Sequence, residues 1–222
     1  MKKIGLMVAM NKELEIFTDF IDFHKTQSLH KCDFHIGHHG ENEIVAVVSG
    51  IGKVNAALST ADLINTFGVD MIINVGISGG LSSEPEIGDF IIGKDIVYHD
   101  VWCGTPNKKG QVQGLPSLFH SNPDLSKLLP ELKCGLICCG DVFVDNRADF
   151  DIIKAKFPDA LAVDMESAAI SQTCYLYDKP MISIRQISDT PGVEHHAEQY
   201  ETFWKNAPKN SAEIIKQLLE KI

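Results

Sequence analysis

Five polar or glycine-rich segments interrupt the apolar runs of this chain. They are Met10 to Glu13, Ser49 to Lys53, Gly76 to Gly80, Asp164-Met165-Glu166, and Ser188-Asp189. In open α/β proteins ligands gather where strands end and loops begin, which is where these segments fall. Three of them carry carboxylates suited to proton transfer or to stabilising positive charge: Glu13, Glu166 and Asp189. Each also has a plain reading. Glu13 sits early in a helix, where an acid complements the dipole. Asp189 follows an apolar strand, where an aspartate often caps a turn. Met165 and Phe143 would serve equally as core side chains.

Other segments only look chemical. Gly50-Ile51-Gly52-Lys53 lacks the upstream glycine and downstream hydroxyl of a phosphate-binding loop, and Gly76-Ile77-Ser78-Gly79-Gly80 is not G-x-G-x-x-G. His35, His38 and His39 cluster and His195 adjoins His196, without the spacing of a metal site. They read as exposed polar histidines, so no metal is expected. Six cysteines, none in a C-x-x-C pair, read as reduced thiols with no evident nucleophile among them.

The elements that must position these residues alternate. Strands are expected at Ile4 to Ala9, Cys32 to Ile36, Ile44 to Val48, Met71 to Val75, Phe90 to Tyr98, Leu136 to Cys139, Ala160 to Val163 and Met181 to Ile187. Helices are expected at Lys12 to Phe23 with Asn11 as cap, Val54 to Phe67, Asp151 to Phe157, Glu166 to Tyr177, and Tyr200 to Ile222 broken at Pro208. Residues 76–80 are expected as a turn, and 100–122 as a long functional or interfacial loop. Strand and helix alternate throughout, so the fold class is α/β with a parallel or mixed sheet. Short linkers point to one domain over residues 1–222.

The chain has 222 residues, 44% hydrophobic, with a formal net charge of −10. An acidic surface repels phosphate backbones, which argues against nucleic acid or an anionic membrane as partner. No apolar run approaches the 18 or so residues of a membrane span. Met1-Lys2-Lys3 followed by a short apolar run reads as a buried first strand rather than a secretory signal, so a cytoplasmic location is expected.

The segments are more specific together than singly. Ala9-Met10-x-x-Glu13, Ser49-Gly50-Ile51-Gly52-Lys53, Asn74-x-Gly76-x-Ser78-Gly79-Gly80, Gly140-Asp141-x-Phe143, Val163-Asp164-Met165-Glu166-Ser167-Ala168-Ala169 and Arg185-x-Ile187-Ser188-Asp189 occur in that order. The set resembles the 5'-methylthioadenosine/S-adenosylhomocysteine nucleosidases, within the purine nucleoside phosphorylase/uridine phosphorylase superfamily. The resemblance implies a three-layer α/β/α domain around a mixed, barrel-like sheet, a homodimer, no cofactor, and hydrolysis of the bond between adenine and a thioribose. It implies Asp189 as the acid that protonates N7 and Glu13 as the group that activates water. Glu166 would bind the ribose hydroxyls and Met165 would lie against the sugar. Phe143 would stack on the purine and the Val144 backbone would read its edge. Ser188 would orient Asp189, Arg185 would pair with Glu13 at the water, and Ile51 and Tyr200 would line the 5' end. Ser78 and Gly79 fall with the substrate-binding residues.

One departure stands out. Many members of that family carry a small hydroxyl residue where this chain has Ile77. Two rival chemistries remain at this level. Phosphorolysis would need more arginines than the two present, Arg147 and Arg185. Another adenine nucleoside, such as 6-amino-6-deoxyfutalosine, fits the same residues. A non-catalytic nucleoside-binding domain would be expected to lack Glu13 or Asp189.

Overall fold

A computed structural model describes the backbone of residues 1–193, 196–206 and 208–222, and the side chains of all of these except 196–197, 205–206 and 208–210. His195 of the histidine pair lies outside the described residues.

The chain runs β1 (Lys3–Val8), α1 (Asn11–Glu15), β2 (Asp22–Leu29), β3 (Cys32–His39), β4 (Asn42–Val48), α2 (Lys53–Asn65), β5 (Met71–Gly80) and β6 (Phe90–Tyr98). It continues with β7 (Phe119–His120), α3 (Pro123–Ser126), β8 (Lys133–Cys139), α4 (Arg147–Lys156), β9 (Ala160–Asp164), α5 (Ser167–Leu176), β10 (Met181–Asp189), α6 (His196–Asn206) and α7 (Pro208–Lys221). The sheet order is β10-β6-β8-β9-β5-β1-β4-β3-β2, and β10 also pairs with β5. That extra pairing closes β10, β6, β8, β9 and β5 into a five-stranded ring, with parallel and antiparallel neighbours mixed. β1 to β4 extend from it as an open wing.

Apolar side chains of α2 and α5, among them Leu63, Ala168 and Cys174, pack with Met7, Val47 and Ile72 of the sheet in one buried cluster. Phe17, Leu125, Leu129, Ile215 and Leu218 pack with Ile4, Ile73 and Ile184 in a second. Helical layers therefore cover the sheet on two sides, the three-layer α/β/α arrangement.

Three expectations need correcting. The helix expected over residues 12–23 stops at Glu15, and Asn11 is its first residue rather than its cap. The chain then turns, burying Phe17 and Ile21, and enters β2. β2 escapes sequence reading because it is a mostly exposed edge strand of polar residues, with no apolar alternation to mark it. Residues 76–80 are not a turn, since β5 runs straight through them. Last, β10 extends to Asp189, so Ser188 and Asp189 belong to the strand itself.

Candidate active site

β5 forks. Its first half, Met71 to Asn74, pairs with β1, and its last two residues, Gly79 and Gly80, pair with β9. β10 runs along the opposite edge from Ile72 to Gly79. Between Asn74 and Gly79 the first edge therefore has no strand partner. A carboxylate takes that place: the Ile77 N–H donates to Glu13 Oε1 at 3.1 Å. Glu13 Oε2 accepts from the amides of Ala9 (2.8 Å) and Met10 (2.9 Å), where β1 has just left the sheet. The short α1 thus exists to fold Glu13 back over the fork.

Glu13 is 3% exposed. Burial pushes its pKa up from the ordinary carboxylate value, against the opposing pull of the Arg185 charge and the three amides. Gly76 makes this approach possible, because a Cβ there would stand 2.9 Å from Glu13 Oε1 and 3.0 Å from an Arg185 guanidinium nitrogen. Arg185 is not paired as expected. Its ion-pair partner is Asp164, with Nε 2.6 Å from Oδ2, and a second nitrogen donates to Asn74 Oδ1 at 2.5 Å. Its charge still faces Glu13 and Glu166. Asp164 also accepts from the hydroxyl and amide of Ser167, which ties the end of β9 to the start of α5. Asp164 and Asn74 were quoted in sequence motifs without a role. A polar residue inside an otherwise apolar strand, as at Asn74, was the available signal.

Glu166 lies just after β9. Its Oε1 accepts from the Gly52 amide at 2.8 Å. Burial, then the neighbouring Asp164 charge, push its pKa up to about 7. Asp189, 4% exposed at the end of β10, accepts a very short hydrogen bond from the Ser188 hydroxyl, which also lies 3.2 Å from the Ser78 carbonyl. The Ser78 hydroxyl is buried with no hydrogen-bond partner among the described residues.

These groups line one cavity of about 100 Å³. Its polar floor holds Glu13, Asp164, Glu166, Ser188 and Asp189. Apolar walls come from Met10, Ile51, Ile77, Phe143, Val144 and Met165, with Ser78, Gly79 and Tyr200 completing it. Phe143 and Tyr200 meet edge to face at 6.2 Å. Ile51 and Phe143, both more than half exposed, stand at its apolar lip. Of the residues assigned from sequence, only Arg185 stands outside this cavity. It lines a small adjoining chamber with Glu13, Asn74, Ser49 and Glu166. Among the described residues, no group of three or more His, Cys, Asp or Glu is arranged to hold a metal. Burial raises the thiol pKa values of Cys138, Cys139 and Cys174, which keeps them unreactive.

A closed mixed ring with an apolar, carboxylate-floored cleft at a sheet fork belongs to the phosphorylase superfamily, whose family model matches residues 3–220. A 5'-methylthioadenosine/S-adenosylhomocysteine nucleosidase of Oceanobacillus iheyensis is 34% identical over 99% of both chains. One of Staphylococcus carnosus is 36% identical over 99% of this chain and all of its own. The crystal structure of the Neisseria meningitidis nucleosidase of the same name, in complex with methylthio-immucillin-A, superposes with a TM-score of 0.95 at 33% identity and full coverage of both chains. The chain belongs to the 5'-methylthioadenosine/S-adenosylhomocysteine nucleosidase family.

Proposed function

We propose that the protein hydrolyses the N-glycosidic bond of 5'-methylthioadenosine and S-adenosylhomocysteine, releasing adenine and the thioribose product. The observation that carries water rather than phosphate as nucleophile is the state of the arginines. Arg185 is committed to Asp164 and Asn74, and Arg147 pairs with Asp151 well outside the cleft. No lysine, arginine or histidine lines the cavity among the described residues. A dianion entering beside Glu13 would meet a buried carboxylate and no uncommitted cation.

Asp189 gives its proton to N7, so that adenine leaves neutral, and Ser188 holds the acid in place. Glu13, anchored by three amides, takes a proton from the water that attacks C1'. Glu166 accepts from the ribose hydroxyls and, as an anion beneath the sugar, favours its developing positive charge. Met165 packs on the sugar, Phe143 stacks on the base, and the Val144 backbone reads the purine edge. Ile51, Tyr200, Ser78 and Gly79 complete the pocket. The Ile77 amide fixes Glu13 directly. The division of labour is that of an inverting glycosidase, with base protonation in place of oxygen protonation.

The cavity draws residues from Ala9 to Tyr200, which supports one nucleosidase domain. Ile51, Val54 and Leu58 form an exposed apolar stripe at the start of α2, which supports a homodimer. The six cysteines are all free, which suits the cytoplasm, and no described helix is long and apolar enough to cross a membrane. The test is adenine release from methylthioadenosine with and without phosphate, identifying the sugar. Free methylthioribose without phosphate is expected. Methylthioribose 1-phosphate formed only with phosphate would overturn the reading.

A further inference from the structure

We propose that Lys53, Asp100 and Asp141 form a latch that keeps the ribose-binding and base-stacking segments in register, and that Asp141 is a positioning residue for the nucleosidase reaction. The proposal rests on the function just given. Three pieces of chain meet at the amino end of α2. The Gly52 N–H donates to Glu166, and the next N–H, that of Lys53, donates to Asp141 Oδ1 at 2.7 Å. Two consecutive amides thus grip two carboxylates from different loops. One carboxylate is the ribose binder. The other begins the segment that carries Phe143 and Val144.

The Lys53 side chain closes the latch from the other side. Its ammonium lies 2.6 Å from Asp100 Oδ2 and 3.7 Å from Asp141 Oδ2, and 5.3 Å over the Tyr98 ring. Asp100 Oδ2 in turn accepts the Asp141 amide at 2.9 Å. Gly52 adopts φ +98°, and a Cβ there would stand 3.1 Å from Asp141 Oδ1, so glycine suits this close approach. A partly exposed ion pair by itself contributes little. Here each carboxylate also holds a backbone amide, so moving Asp141 moves the turn that grips Glu166. The positive end of a 13-residue helix favours both anions.

The test compares Asp141→Ala and Asp141→Asn with the unaltered enzyme. Asparagine keeps an oxygen for the Lys53 amide, and alanine does not. Asp141→Ala should raise KM for methylthioadenosine about tenfold and leave kcat within about threefold, the pattern of lost uniform binding, with Asp141→Asn restoring most of the KM. Amide hydrogen exchange on the free protein reads the latch without catalysis. In Asp141→Ala the Gly52 amide, and not only that of Lys53, should exchange at least about tenfold faster. An unchanged Gly52 amide, an unchanged KM, or a loss confined to kcat would each overturn the latch. If the unaltered enzyme released no adenine, the nucleosidase reading would fall, and Gly52 exchange would still decide the latch.

Discussion

Asp189→Asn keeps the shape of the side chain and an oxygen for the Ser188 hydroxyl, but it cannot deliver a proton to the base. Turnover of methylthioadenosine should fall by about 10²–10⁴, the usual worth of a positioned general acid, while nucleoside affinity measured by calorimetry stays within about threefold. Retention of more than about a tenth of kcat would remove Asp189 from that role. Glu166 acts differently, because its pKa of about 7 is a stability cost as well as a functional setting. In the unfolded chain it ionises near 4.5, the ordinary value for a glutamate. Between those pH values the folded protein holds a proton that the unfolded chain has released. Stability therefore falls as pH rises through this window, and the cost is fully present above about pH 7. Glu166→Gln should raise Tm at pH 8 by about 5 °C, corresponding to about 2 kcal/mol, with the gain shrinking at pH 5. The same substitution should impair a ribonucleoside more than its 2'-deoxy analogue in kcat/KM, and equal losses would contradict a contact to the ribose hydroxyls.

Strands and helices place these side chains through two close approaches, one at Gly76 and one at Gly52. Gly76→Ala should push Glu13 and Arg185 apart, lowering kcat at least about tenfold while circular dichroism stays native, because the clash lies at the reacting end and not in the core. How far such features were legible depends on what the pattern records. Apolar runs marked Met181 to Ile187 and Phe90 to Tyr98 as strands because the first is buried on both faces throughout and the second is buried except around Phe90, Lys94 and Asp95. Glu13, Glu166 and Asp189 were legible as motif positions, and the structure brings all three to one cavity. β2 was not legible, since an exposed edge strand needs no apolar alternation. Nor was the continuation of β5 through Gly76 to Gly80. Glycine there signals the nearness of Glu13, Arg185 and Pro191 rather than a reversal of the chain. The Arg185–Asp164 pair was missed because charge partners separated by 21 residues leave no local trace.

At the scale of the molecule, the exposed stripe of Ile51, Val54 and Leu58 borders the lip of the cavity, so a second copy seated on it would also shelter bound nucleoside. If the proposed homodimer forms across this stripe, Leu58→Glu should raise its dissociation constant by at least about a hundredfold in sedimentation equilibrium, and an unaltered mass distribution would contradict an interface here. The fork in β5 has a consequence for descent. Glu13 stands in for a missing strand, so its loss would strand the amides of Ala9, Met10 and Ile77 at the heart of the sheet. A lineage that abandoned catalysis yet kept this architecture as a nucleoside receptor would carry Glu13 onward, a fossil of chemistry no longer performed.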